Sequence, residues 1–356
     1  MRRQSARGMV RRMKVNPLAV TIDGLDISDA PLLVEVTRGD MVESRHAGTV
    51  AVVDAKGGLR LSCGNVSQPI YPRSAIKPIQ ALPLVESGAA DAFGLGDAEI
   101  ALACASHGGE PRHVETVRAW LKRLGLGEDD LECGAHAPSY APAAEALWRA
   151  GTPITNAHNN CSGKHTGFLT LARHRGWPTR GYIRADHPVQ QAVLRGLADL
   201  CGSDLANGAR GIDGCGIPVV GIPLERLALA MARVADPSGL ASARRQAIER
   251  IRGAMAREPF MVAGTGRFCT RVMTALGEQA TVKTGAEGVY MAALPALGLG
   301  VCLKIADGAA RAAQVALAAV MERVGVPGAA QLVRTPIGNV AGLRVGEIRP
   351  AGELPF

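Results

Sequence analysis

The sequence predicts an α+β fold in which an antiparallel sheet is assembled from both chain ends and a helical region is inserted between them. Three observations predict it: short β-rich runs near the start and the end, helical apolar periodicity through the middle, and no internal repeat or long linker separating the two. The 356 residues are 47% hydrophobic but only 3% aromatic, which suits an Ala, Val and Leu core large enough to bury an active site. The expected division is a flexible basic tail over 1–30 and a single catalytic unit over 31–356. Within that unit the sheet comes from about 31–72 and 265–356, and the helical insert covers about 73–264.

The elements follow in order. From residue 31, PLLVEVTRGDMVESRHAGTVAVVDAKGGLRLSCGN reads as a meander of strands broken at RGD and AKGG. Helical patterns then dominate at 75–87, 98–104, 111–126, 141–151, 164–176, 187–202, 223–236 and 239–259, most of them ending near Gly or Pro. After about 265 the β character returns in QATVKTGAEGVYMAALP and LGVCLKIADG. The Ala-rich helix AARAAQVALAAVMERVG and a closing LRVGEIRP complete the chain.

Composition excludes several classes of function. No apolar run approaches the roughly 18 to 20 residues that span a membrane, and the first twenty residues lack the apolar stretch of an export signal. The expected location is therefore cytoplasmic, with no membrane partner. The net charge is +8, but five arginines and one lysine fall within the first 14 residues, leaving the remainder near neutral. No interleaved aromatics or nucleic-acid module follow that tail, so nucleic acid is not an expected partner. Eight cysteines without a paired framework are expected to be reduced, most of them acting as small buried hydrophobes.

Lysine is scarce, with seven among 40 basic residues, so arginine is the ordinary surface cation here. An ammonium can be driven to a neutral amine by burial whereas a guanidinium cannot. In YPRSAIKP, Ser74 precedes Lys77 by three residues, a spacing that puts both on one helix face. A neutral Lys77 could then take the Ser74 proton. Alone, this pair is better read as a helix-capping serine and a solvated lysine. ALACASHGGEPRH sets Ser106 at a sharp turn, and TVKTGAEG sets Lys283 on a strand ahead of Thr284 and Gly285. A serine at a helix mouth, a second serine on a turn and a Lys-Thr-Gly strand are, in that order, the three elements of the penicillin-recognising serine enzymes. The second element departs from that family's Ser-x-Asn.

HNNCSGKHTG and GIDGCGIP form the other pair of motifs. Cys161 and Lys164 share the three-residue spacing, and Cys215 sits between glycines in a tight turn. Two thiolates, one nitrogen and a water would complete a tetrahedral zinc site. The nitrogen could come from Lys164, which must lose its proton to bind, or from His165 or His158. Buried structural cysteines are the alternative.

Together YPRSAIKP, ASHGGE, HNNCSGKHTG, GIDGCGIP and VKTGAEG resemble the rhizobial-type L-asparaginases, related in fold to serine β-lactamases and glutaminases, over roughly residues 31 to 350. The resemblance implies a serine β-lactamase/glutaminase-like fold and hydrolysis of L-asparagine to aspartate and ammonia by a cytoplasmic homodimer. It implies catalytic tandems of Ser74 with Lys77 and Ser106 with Lys283, and zinc held by Cys161, Lys164 and Cys215. Arg73, His165, Asp213 and Cys269 match substrate-pocket positions. The expected chemistry is attack by Ser74 on the side-chain amide, with Lys77 as base and Ser106 and Lys283 relaying protons. Zinc is expected to orient the substrate. Rival expectations are a glutaminase, β-lactamase or peptidase on the same scaffold, and a non-catalytic zinc-containing binding protein.

Overall fold

The computed structural model describes residues 30–352; apart from residue 30, the expected basic tail lies outside them. Twelve strands occur among the described residues. β1 (Leu32–Arg38), β2 (Met41–Asp54), β3 (Leu59–Cys63) and β4 (Pro69–Ile70) come early. β5 (Arg210–Ile212), β6 (Pro218–Val220) and β7 (Ile222–Pro223) interrupt the helical region, and β8 (Thr281–Thr284), β9 (Val289–Leu294), β10 (Leu299–Ile305), β11 (Thr335–Gly338) and β12 (Arg344–Pro350) come late. Eight of them form one sheet in the order β11-β12-β1-β2-β10-β9-β8, with β3 added on β2, and every pairing in it is antiparallel. The fold is therefore α+β, with a sheet built from both chain ends.

β2 joins the two contributions. Its first half pairs with β1, as Glu35 opposite Arg45, and its second half with β10, as Val52 opposite Val301. β9 is buried at all six positions, the pattern of a strand covered on both faces. The helix Leu224–Ala235 packs against β2, β9 and β10, and the helix Ala310–Arg323 packs against β1, β9, β10 and β12. The helices Pro111–Arg123, Ser162–Arg175, Pro188–Cys201 and Ser242–Arg257 lie in the stretch between the two groups of strands. Among the described residues no helix is long and apolar enough to cross a membrane.

Two local features differ from the expected pattern. The helix expected at 75–87 is broken into a 3-10 turn, Arg73–Ile76, and two short helices, Lys77–Gln80 and Leu82–Glu86. Pro78 and Pro83 each stand second in a new segment, because neither can donate to the preceding turn. The two-stranded pairings β4 with β7 and β5 with β6 are too short to show alternation in sequence. In the β5–β6 turn, Asp213 N donates to Ile217 O at 2.8 Å and Gly216 N to Asp213 O at 2.8 Å.

The sheet meets the helical region where β8 packs on the 3-10 turn Arg73–Ile76. A Cβ at Gly285 would lie 2.6 Å from Pro72 O, so the residue after Lys283 and Thr284 must be glycine for the two segments to touch. Gly285→Ala is expected to cost about 1–3 kcal/mol through overpacking, read as a lower denaturant midpoint.

Candidate active site

Three distant segments deliver the central contacts. Ser106 lies just beyond the helix Asp97–Ala103, on a turn fixed by a hydrogen bond from Ser106 N to Val262 O at 3.0 Å. Lys77 opens the short helix after the 3-10 turn, and Lys283 stands on β8; both are fully buried. Lys77 Nζ lies 2.6 Å from Ala105 O, 3.0 Å from Ser106 Oγ and 3.0 Å from Cys161 Sγ. Lys283 Nζ lies 2.8 Å from the same Ser106 Oγ and 3.0 Å from Thr284 O. A serine hydroxyl carries one proton and two lone pairs, so it can donate to one of these amines only if that amine is neutral. Burial, followed by the charge of Lys77, lowers the Lys283 pKa to about 7, which makes Lys283 the acceptor.

This arrangement differs from the expected pairing of Lys77 with Ser74. An ammonium has three N–H donors, and all three of the Lys77 contacts lie elsewhere. Ser74 is partly exposed on the 3-10 turn. Its neighbour Arg73 has φ 51°, a left-handed conformation that costs energy in a residue with a side chain. The Arg73 Nε donates to Asp213 Oδ1 at 2.7 Å, and Gly214 N donates to the same oxygen at 2.9 Å. Burial opposes the charge on Asp213, but Lys164 and Arg73 hold its pKa below the usual carboxylate value.

The thiols form a second cluster in contact with the first. Cys161 is the residue before the helix Ser162–Arg175, and Cys215 lies in the β5–β6 turn. Lys164 Nζ donates to Cys215 Sγ at 3.0 Å, and Cys215 Sγ is 4.0 Å from Asp213 Oδ2. A hydrogen bond from Cys215, with the charges of Lys77 and Lys164, holds the Cys161 thiol well below its ordinary pKa despite burial. The same bond and burial push the Cys215 thiol up. Lys164 is raised even though burial opposes its charge, because the two sulfurs face it. Two thiols, soft ligands once deprotonated, and one amine therefore converge in a set of donor types that zinc accepts. Among the described residues no three His, Cys, Asp or Glu side chains are arranged for a metal, so a metal here depends on the lysine amine. His158 has its Nδ1 occupied by Thr155 N at 3.0 Å.

The other expected pocket residues have partners that sequence reasoning missed. His165 Nδ1 is 2.8 Å from Tyr182 Oη, while its buried Nε2 has no partner. Cys269 Sγ is 3.4 Å from Tyr290 Oη, and Tyr290 sits opposite Thr284 in the sheet. His107 was also missed as a positioning group. Its Nε2 donates to Ser162 Oγ at 2.9 Å and its Nδ1 accepts Gly109 N at 3.1 Å, so it ties the Ser106 turn to the helix that follows Cys161. Only adjacency to Ser106 in ASHGG could have pointed to it. A cavity of about 770 Å³ opens beside Arg73 and Asp213; Ile76, Ile183 and Val219 are among its walls, but Ser106, Lys77 and Lys283 are not.

The family described as L-asparaginase II matches residues 34–350. The chain belongs to the L-asparaginase II family. Family membership makes this an amidohydrolase. A search of curated proteins finds no match. Similar solved structures include a protein called Mglu in its native form, at 14% identity and TM-score 0.44, covering 78% of this chain and 64% of that one. Others are a β-lactamase from Mycobacterium bovis, at 14% identity, TM-score 0.38 and coverages of 78% and 94%, and the simvastatin synthase of Aspergillus terreus, at 12%, 0.36, 72% and 86%. Likeness at this level says nothing of substrate.

The depressed Lys283 pKa has a signed consequence for stability. The unfolded amine keeps its proton up to the ordinary lysine value of 10.5, and the folded one loses it at about 7. Between those values the unfolded state binds more protons, so stability rises with pH, and it falls again as pH drops through that window. Comparing melting temperatures of the wild type and Lys283→Met from pH 6 to 10 should show a steeper rise in the wild type.

Proposed function

We propose that this member of the family hydrolyses L-asparagine to aspartate and ammonia through a serine ester. The observation that carries the reading is the shared Ser106 hydroxyl, 3.0 Å from Lys77 Nζ and 2.8 Å from Lys283 Nζ. Ser74, the accessible hydroxyl, attacks the side-chain amide. Neutral Lys283 takes the Ser106 proton, Ser106 takes one from Lys77, and Lys77 so neutralised turns from its contacts with Ala105, Ser106 and Cys161 to take the proton of Ser74. The net transfer is from Ser74 to Lys283, which becomes an ammonium as the attacked amide takes up an oxyanion, so the positive charge gained in the buried site is balanced by a negative one on the adduct. Reversal through the same chain protonates departing ammonia, and a second passage removes a proton from the water that cleaves the ester. A second reading, with Ser106 itself acylated, is favoured by its direct contact with both amines.

Mass spectrometry of protein quenched during turnover should locate an aspartyl ester on the peptide holding Ser74; an ester on Ser106 selects the second reading. Ser74→Ala is expected to lower kcat by about 10³-fold or more without moving the melting temperature. Parallel assays with glutamine and a chromogenic β-lactam should show asparagine as the preferred substrate. Unchanged turnover in Ser74→Ala and Ser106→Ala would leave a zinc-containing binding protein as the better account.

Zinc belongs to this reading, held by Cys161, Lys164 and Cys215. When bound, it supplies a Lewis acid that orients the substrate. The protein's own part is to release the Lys164 proton on binding, to keep Asp213 ionised beside the sulfurs, and to hold the strained Arg73 on Asp213. Arg73 and Asp213, on the wall of the cavity, are assigned to the substrate in this reading together with the buried His165 and Cys269. Elemental analysis should find one zinc per chain in the wild type and little in Cys215→Ser, and chelation should raise KM more than it lowers kcat. The reading also includes a cytoplasmic homodimer, which sedimentation at assay concentrations checks.

A further inference from the structure

Three loops meet at the Ser106 turn and are fastened to one another. Ser106 N donates to Val262 O at 3.0 Å and Tyr140 N to Gly108 O at 3.1 Å. The buried Glu110 carboxylate accepts Thr265 N on Oε1 at 2.8 Å and Thr265 Oγ1 on Oε2 at 2.6 Å. Gly264, at φ 105°, has no room for a Cβ against that carboxylate, and Thr270 Oγ1 donates to Gly264 O at 2.7 Å. A loop held from both sides presents its exposed side chain in a fixed place. That side chain is Arg267, at the start of the helix Phe268–Leu276. The same helix brings Cys269 to Tyr290, whose strand partner Thr284 adjoins Lys283.

The Arg267 side chain makes one hydrogen bond among the described residues, from Nη1 to Ser139 Oγ at 3.3 Å, and no ion pair among them. Arg73, by contrast, is already bound by Asp213. The positive charge of Arg267 reaches the buried Lys283 amine and the Tyr290 phenol. A pre-positioned guanidinium without a counter-charge, beside a site that cleaves amides, is matched in charge and shape to a carboxylate. We infer that Arg267 recognises the free carboxylate of the substrate and so restricts the enzyme to amides that carry one. The inference rests on the amidohydrolase reading, and Glu110 acts in it as a positioning residue.

The test uses Arg267→Ala and Arg267→Lys with L-asparagine and with β-alaninamide, which is asparagine without its carboxylate. The ratio of kcat/KM for asparagine over β-alaninamide should fall about 10- to 100-fold in Arg267→Ala, with the loss in KM and with partial recovery in Arg267→Lys. Inhibition by L-aspartate should weaken by the same factor. Equal losses for both substrates, a loss in kcat alone, or no loss would overturn the inference. A wild type inactive on asparagine would sink the proposed activity instead; calorimetry of L-aspartate binding to the wild type and Arg267→Ala then decides the role of Arg267, with equal affinities counting against it.

Discussion

Two fully buried amines share one serine oxygen, and two full positive charges cannot be held around it at low cost. Burial of an unpaired ammonium is expensive, and a second one within contact of the same atom compounds the penalty. The protein answers in three ways. Lys283 gives up its proton near neutrality, the carbonyls of Ala105 and Thr284 take N–H groups, and the electron-rich Cys161 sulfur stands against Lys77. The architecture serves that contact: one amine comes from the helical region, the other from a strand near the chain's end, and the serine from a turn between them.

The Lys77 contact with Cys161 joins the proton-handling chain to the sulfur cluster. Because Cys161 also shares a proton with Cys215, and Lys164 faces both sulfurs, the charges of these groups belong to the set rather than to its members. Asp213 and Arg73 complete the cluster, and the left-handed backbone at Arg73 shows that local strain is tolerated to place this guanidinium. His107 links the two halves mechanically, as a neutral ring held between Gly109 and Ser162.

Much of the fold was legible in sequence because long elements announce their periodicity. The helices Pro111–Arg123, Ser162–Arg175 and Pro188–Cys201 fall close to their expected spans, and β8, β9 and β10 lie within the runs read as strands. The breaks beside Pro78 and Pro83 have a local cause that helical periodicity overrode, whereas the two-residue strands were not legible because pairing partners far along the chain decide them. At the site, the scarcity of lysine drew attention to Lys77, Lys164 and Lys283, all of which are buried. What spacing could not show is direction. Ser74 and Lys77 share a helical spacing, yet the lysine stem carries its amine away to acceptors on two other segments. Tyr182, Tyr290 and Glu110 gave no signal because their importance lies in what they touch.

The pairing of Gly48 with Ile305 across β2 and β10 sets an order of events during synthesis. The inner edge of β2 stays without its neighbour until the ribosome has added the whole helical region, β8 and β9, and contacts so distant in sequence form slowly. During that interval the nascent polypeptide carries a long valine-rich edge able to join the wrong partner. Products truncated before β8 would therefore be without one of the amines and prone to aggregate, so nascent chains have most need of a chaperone until β10 is made.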